Sequence, residues 1–206
     1  LNAKIQKKIT IRSQKNSGPS SARNHGIQQS NGEYIAFLDS DDSWIAEKLE
    51  IQIDYFKKNP TAGIVGGGFN QKIFEDHIKF RAVTYYQLLF RNYFLTPAVM
   101  IRRDALNAEK YVFDVSKTYC EDQDLWLRIT HKHTGIYINQ VLAKNIIGKA
   151  NFGEKGLSSN LLLMYKGELS NYFSEYKNKR ISYYSLLIIL IFSFIKFCRR
   201  KWITNF

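Results

Sequence analysis

Residues 33–44 read EYIAFLDSDDSW, an apolar run driven directly into three carboxylates within four positions. No other stretch constrains the chain as tightly. Tyr34 to Leu38 has the length and apolarity of a buried strand. Such a strand can end in clustered acids only where its carboxyl end meets solvent or a ligand. Open α/β sheets offer that place, because ligands bind outside the carboxyl ends of their strands. In an extended chain residues i and i+2 share a side, so Asp39 and Asp41 are expected to aim at one point past the strand. Two like charges held close raise a pKa unless a cation lies between them. A hard divalent cation takes oxygen ligands and commonly brings substrate phosphates as the rest of its shell. The pattern suits a metal site that holds a diphosphate, with Asp42 or Ser43 capping a helix that begins near Trp44. The plainer alternative makes all three acids turn and cap residues.

The flanking segments supply the rest of an α/β layer. KITIR (8–12) alternates like a half-buried strand, and SQKNSGPSS (13–21) is turn chemistry. SARNHGIQQSNG (21–32) predicts a short helix closed by Asn31-Gly32. Ile45, Leu49, Ile53 and Phe56 recur at helical spacing until Pro60 stops them. AGIVGGGF (62–69) predicts a second buried strand, 84–93 a helix, 97–103 a strand, and 135–148 one or two strands. CEDQDLWLRITHKH (120–133) predicts an amphipathic helix with carboxylates at its N-terminus. Strands alternating with helices point to a partly parallel sheet.

Two other readings of the acids fail on their details. An EF-hand loop needs glycine at its sixth position, and Trp44 stands there, after a strand rather than a helix. A haloacid-dehalogenase-like phosphatase carries its D-x-D on the first strand of the domain, whereas a strand and a helix precede this one. Gly66-Gly67-Gly68 is no P-loop, because no Gly-Lys-Ser/Thr follows.

With these pieces in order, the chain resembles family 2 glycosyltransferases, which have a GT-A-type, Rossmann-like fold. The resemblance covers about residues 8–160. It rests on SARNHGIQQSNGEYIAFLDSDDSW, PAVMIRRDAL, FDVSKTYCEDQDLWLRI and FGEKGLSSN as an ordered set. It implies an inverting transfer of a sugar from a nucleotide-diphosphate donor, a UDP-sugar above others, to a hydroxyl of a glycan or lipid-linked acceptor. The setting it implies is bacterial surface polysaccharide or glycoconjugate synthesis. By the same resemblance Asp39 and Asp41 belong to the D-x-D motif that holds Mn²⁺ or Mg²⁺, Asp41 being the main ligand. Arg23 and Asn24 match the motif lining the donor side. Asp122 matches the general base, with Glu121 as second choice. The plainer role for both acids is to complement their helix dipole. Trp126 and Arg128 are read as packing and an ion pair, and His131 and His133 as surface residues. The loop at 151–158 is either a closing flap or a plain connector.

The strand, helix and second strand that ordinarily open this family have no counterpart here. The resemblance therefore implies an N-terminally truncated catalytic domain over 1–160, with much of the nucleoside pocket missing and a sheet edge exposed. Residues 161–206 are expected to form a helical, basic and apolar tail. Its uncharged run ISYYSLLIILIFSFI (181–195) is shorter than the ~20 residues a membrane span needs. Three readings stand for it: a helix docked on the domain, a helix lying in a membrane interface, and a true span.

The net charge of +12 favours acidic partners. No nucleic-acid-binding module is recognisable, so phosphorylated donors and an anionic membrane surface are the expected ones. Two cysteines in 206 residues do not make a disulfide framework and suit a reducing, cytoplasmic setting, with the cytoplasmic face of a membrane as the refinement. A reading from another class is a non-catalytic remnant or membrane-associated partner that keeps part of the fold.

Overall fold

In the computed structural model of the chain these signals become a mixed sheet with helices packed on it. The structure describes residues 9–74, 77–107, 112–146 and 160–204. In chain order the elements are α1 (Gly18–Gln29), β1 (Tyr34–Ala36), β2 (Asp42–Trp44), α2 (Lys48–Lys58), β3 (Ala62–Phe69) and β4 (Phe80–Val83). There follow α3 (Tyr85–Phe90), a 3₁₀ turn (Thr96–Ala98), β5 (Met100–Arg102), α4 (Arg103–Asn107) and α5 (Glu121–Lys132). The chain ends in β6 (Thr134–Asn145), α6 (Leu161–Lys177) and α7 (Tyr183–Thr204).

The long strand β6 is the spine. β3 runs parallel to it along one side, from Ala62 beside Thr134 to Phe69 beside Ala143. On the other side its first half pairs antiparallel with β4 and its second half with β2. The path through the sheet is β1-β5-β3-β6-β2. β3 is buried along almost its whole length, as a run with no polar side chain requires. Its glycines are there for close packing. A Cβ on Gly66 would meet the Phe94 ring at 2.6 Å, and one on Gly67 would meet Leu142 at 2.6 Å.

Three expectations need correction. Ile9 to Arg12 form no strand, and Ile9 and Ile11 lie exposed. Alternation says which face could be buried, but a strand also needs a neighbour for its backbone groups. Residues 42–44 are a strand rather than a helix start: Asp42 pairs with Asn145 and its side chain accepts from Asn145 Nδ2 at 3.1 Å. The next helix starts only at Lys48, without a side-chain cap.

The third correction concerns the face of α2. Its fully buried positions are Lys48, Gln52 and Phe56, while Leu49 is exposed. Lys48 Nζ donates to Gln52 Oε1 (2.7 Å) and to the Val99 carbonyl (3.1 Å), and lies 4.4 Å over the Trp44 ring. Gln52 Nε2 donates to the carbonyls of Val65 and Ala98. β3 and β5 pair only at Ile64–Val65, so carbonyls around the 3₁₀ turn need donors from elsewhere. Burial pushes the Lys48 ammonium down to about 7.

The helices over 161–204 join the domain core. Tyr172, Ile181, Leu186 and Ile189 belong to the same buried cluster as Ile64, Phe113 and Trp126. α7 is therefore docked by one face. Among the described residues no helix is long and apolar enough to cross a membrane.

Candidate active site

The apolar run 34–38 delivers its acids to a tight turn. The Asp42 N–H donates to the Asp39 carbonyl at 3.1 Å, so residues 39–42 reverse the chain between β1 and β2. Asp39 and Asp41 thus sit on one turn, not on one side of an extended strand. The Asp41 carbonyl accepts from the Ile146 N–H at 3.0 Å, which ties the turn to the end of β6.

Arg23, projecting from α1, reaches this turn. Its Nη2 donates to Asp39 Oδ1 at 3.0 Å and its Nη1 to Glu121 Oε1 at 2.9 Å. One guanidinium thus joins carboxylates from residues 16 and 98 positions away. Burial opposes the Arg23 charge, but Asp39, Glu121 and Asp122 outweigh it and raise its pKa. The neighbour Asn24 sets the aim. Its Nδ2 donates to the Phe113 carbonyl (2.7 Å) while its Oδ1 accepts from the Phe113 N–H (2.9 Å). That reciprocal clamp fixes the Phe113 ring, which lies 5.4 Å under the Arg23 guanidinium. Asn24 therefore serves the site through Phe113.

Glu121 and Asp122 open α5. The residue before them, Cys120, has φ 56°, the left-handed region that costs a non-glycine residue roughly 1–2 kcal/mol. This backbone reversal turns the chain sharply into the helix, and the Cys120 carbonyl is held by Asn171 Nδ2 at 2.9 Å. Three acids then occupy the first turn of α5, where the helix dipole favours negative charge. Their fates differ. Asp124 is buried between Lys117 and Arg128, the latter at 3.0 Å, and is a structural ion pair. Glu121 is bonded to Arg23. The Asp122 carboxyl is pushed up to about 7, first by burial and then by the adjacent Glu121, with Arg23 pulling weakly the other way.

The structure thus brings Arg23, Asp39 and Glu121 into direct contact and sets Asp122 beside them. Trp126 is fully buried against Phe113, and Arg128 pairs with Asp124, as packing and ion-pair roles require. His131 is exposed and meets Tyr85 edge-on. The segment 151–158 lies outside the described residues. Sequence reasoning missed Phe113 as the platform under Arg23. It also missed the Lys117–Asn171 contact (2.7 Å) behind α5. No local signal marks either; only the i, i+4 spacing of Asp124 and Arg128 was there to be read.

Among the described residues no group of three or more His, Cys, Asp or Glu side chains is arranged to hold a metal. The turn offers two carboxylates, Asp39 and Asp41, the first of them 40% exposed. Two oxygen donors at an open turn suit a hard cation that completes its shell with substrate phosphates and water. The donor set therefore fits Mg²⁺ or Mn²⁺, with Asp41 and Asp39 as the residues that would hold it.

Residues 2–111 match the family model described as glycosyl transferase family 2. The chain is 32% identical over 146 residues to the Escherichia coli UDP-Glc:alpha-D-GlcNAc-diphosphoundecaprenol beta-1,3-glucosyltransferase WfgD. That match covers 69% of this chain and 55% of the relative. Among solved structures, S. aureus TarS 1-349 superposes with a TM-score of 0.62 at 16% identity, over 93% of this chain and 56% of that one. TarS is also known in complex with UDP-GlcNAc. The mannosyltransferase PcManGT from Pyrobaculum calidifontis, in complex with GDP-Man and Mn2+, superposes with a TM-score of 0.59 at 15% identity, over 88% and 50% of the two chains. The chain thus spans about half the length of these proteins.

Proposed function

The chain belongs to glycosyl transferase family 2, and from that premise we propose that it transfers a sugar, with inversion, from a UDP-sugar to a hydroxyl of a lipid-linked or glycan acceptor. The product belongs to bacterial surface polysaccharide, and the reaction runs at the cytoplasmic face of the membrane. The observation that carries this is the Arg23 guanidinium, which joins the Asp39 turn to Glu121 beside Asp122. The names of WfgD and of the TarS and PcManGT complexes support a nucleotide-sugar donor.

In this reading the chain's own groups divide the work. Asp39 and Asp41 would hold a divalent cation on the turn, since an anionic diphosphate cannot sit beside two bare carboxylates, and Arg23 offsets part of the donor's charge. A bound Mg²⁺ or Mn²⁺ supplies Lewis-acid stabilisation of the departing nucleotide. Asp122, poised near neutrality, takes the proton of the acceptor hydroxyl. The hydroxyl oxygen attacks the anomeric carbon, the bond from that carbon to the diphosphate oxygen breaks, and the nucleoside diphosphate leaves. A single displacement of this kind inverts the anomeric centre. Glu121 keeps Arg23 in place and holds the Asp122 pKa up.

Calorimetric titration of the chain with UDP-glucose and UDP-N-acetylglucosamine, with and without Mn²⁺, tests the donor site. Heat that depends on Mn²⁺ and disappears in Asp41→Asn is the expected result. A folded chain that takes up neither donor in either condition would overturn the enzyme reading and favour a non-catalytic partner.

A further inference from the structure

The helix α7 satisfies only one of its faces on the domain. Ile181, just before it, and Leu186 and Ile189 within it are buried in the core, Ser193 Oγ donates to Glu168 Oε2 at 2.8 Å, and Lys196 Nζ reaches the same carboxylate. The opposite face is not polar. Tyr184, Ile188, Ile191, Ile195 and Trp202 recur at helical spacing, each 59–77% exposed. This stripe is about 27 Å long at 1.5 Å per residue.

Charge frames the stripe at both ends. Lys177 and Lys179 are exposed before the helix, and Arg199 and Lys201 are exposed at its close. No acidic residue follows Glu175 anywhere in the chain. At the N-terminal end a cleft of about 510 Å³ is lined by Lys177, Lys179 and Arg180 together with Ser182. Tyr176 of that cleft meets Tyr183 edge-on, so the basic cleft and the apolar stripe are continuous.

We propose that this face of α7 is a docking surface for an anionic lipid bilayer, with the helix lying in the plane of the interface. The stripe enters the headgroup–acyl boundary, and the basic residues at both ends engage the headgroup phosphates. Charge decides the occupant. A second copy would bring the basic ends of two acid-free helices together, whereas an anionic leaflet complements those ends and takes up the apolar stripe between them. The geometry is that of an interfacial helix, because the other half of α7 is already committed to the core. The inference deepens the membrane-face part of the proposed function, but its argument does not use the donor site.

The test is co-sedimentation of the full chain with vesicles of phosphatidylglycerol in phosphatidylcholine, against phosphatidylcholine alone. The chain should pellet with the anionic vesicles and, much more weakly, with the neutral ones. Lys177→Glu/Arg199→Glu should lower the partition coefficient more than about tenfold, since each basic residue at the surface carries on the order of fivefold. Ile188→Glu/Ile191→Glu, at exposed positions, should abolish binding while leaving the circular dichroism spectrum and melting curve unchanged. No binding to anionic vesicles by the folded chain would overturn the proposal. So would equal binding by Ile188→Glu/Ile191→Glu, or a dimer seen by light scattering that this variant dissolves, which would make the occupant a second copy. Donor titration of the same samples separates the two readings: vesicle binding with flat donor heat sinks only the enzyme assignment.

Discussion

Two clusters of acids lie in this molecule, and they are built in opposite ways. In the helical pair α6 and α7, Glu168 accepts from the Tyr172 hydroxyl (2.9 Å), from Ser193 and from Lys196. Glu175, nearby on α6, accepts from the Tyr85 hydroxyl at 2.8 Å and from Arg180 at 2.9 Å. Each carboxylate there has a cation and a hydroxyl of its own. At the start of α5 one guanidinium serves Asp39 and Glu121 together, and Asp122 is left with a backbone N–H at 2.7 Å and a like charge beside it. A fully paired acid holds elements together, whereas an underpaired one stays basic enough near neutral pH to accept a proton. The contrast separates acids held by partners of their own from the one left available for the proposed chemistry.

The comparison breaks first at Asp122. Asp122→Asn should cut transfer by roughly 10²–10⁴-fold while leaving the Mn²⁺-dependent donor heat in place; full activity would move the base role to Glu121. Glu168→Ala should do the reverse. It strands Lys196 and two hydroxyls and should destabilise the chain by about 3–5 kcal/mol in urea unfolding, with donor binding per folded molecule unchanged. Arg23→Met sits between the two clusters in kind. It leaves Asp39 and Glu121 without their shared donor and should cost about 1–3 kcal/mol, and it should also weaken donor affinity, which a purely structural residue would not.

Two pH experiments sharpen the contrast. The folded Asp122 carboxyl holds its proton up to about 7, far above the ordinary aspartate value. The folded state therefore binds more protons than the unfolded one between about pH 4 and 7. The contribution of Asp122 to stability is full below that window and is lost as pH rises through 7. Stability of the native chain should fall across the window by on the order of 4 kcal/mol more than that of Asp122→Asn; parallel curves would remove the basis for a poised base. The smallest effect is expected from Glu121→Gln. Removing the adjacent charge, and releasing Arg23, both lower the Asp122 pKa. The acid limb of the transfer rate should then move below 7, by about one unit or less.

Much of this architecture was legible in advance, and the reasons are local. The buried strand 62–69, the helix at 120–133 with its acids first, and the strand into the 39–42 acids all follow from periodicity and punctuation. The candidate site residues were singled out by residue type and order along the chain, and the structure brings Arg23, Asp39 and Glu121 of that set into contact. The errors share one cause. Ile9–Arg12 have no strand neighbour among the described residues, Asp42–Trp44 found one in β6, and Lys48 and Gln52 took the buried face of α2 because carbonyls of Val65, Ala98 and Val99 needed donors. Each depends on a partner distant in sequence.

The tail teaches the same lesson on one helix. Its apolar run was plain in the sequence, and docking and interfacial burial were both open for it. The structure gives one face to the core and leaves the other exposed.

What the sequence determined by itself is the inventory: an apolar strand ending in acids, a helix led by acids, an Arg-Asn pair upstream and a basic, apolar end. What only the tertiary structure decided is which charges share partners. A carboxylate's character is set by the dielectric and the donors around it, and those come from segments folded against it. Asp122 and Asp124 are two residues apart on one helix. One becomes a candidate base and the other half of an ion pair because Lys117 and Arg128 reach Asp124, and because burial beside Glu121 raises Asp122.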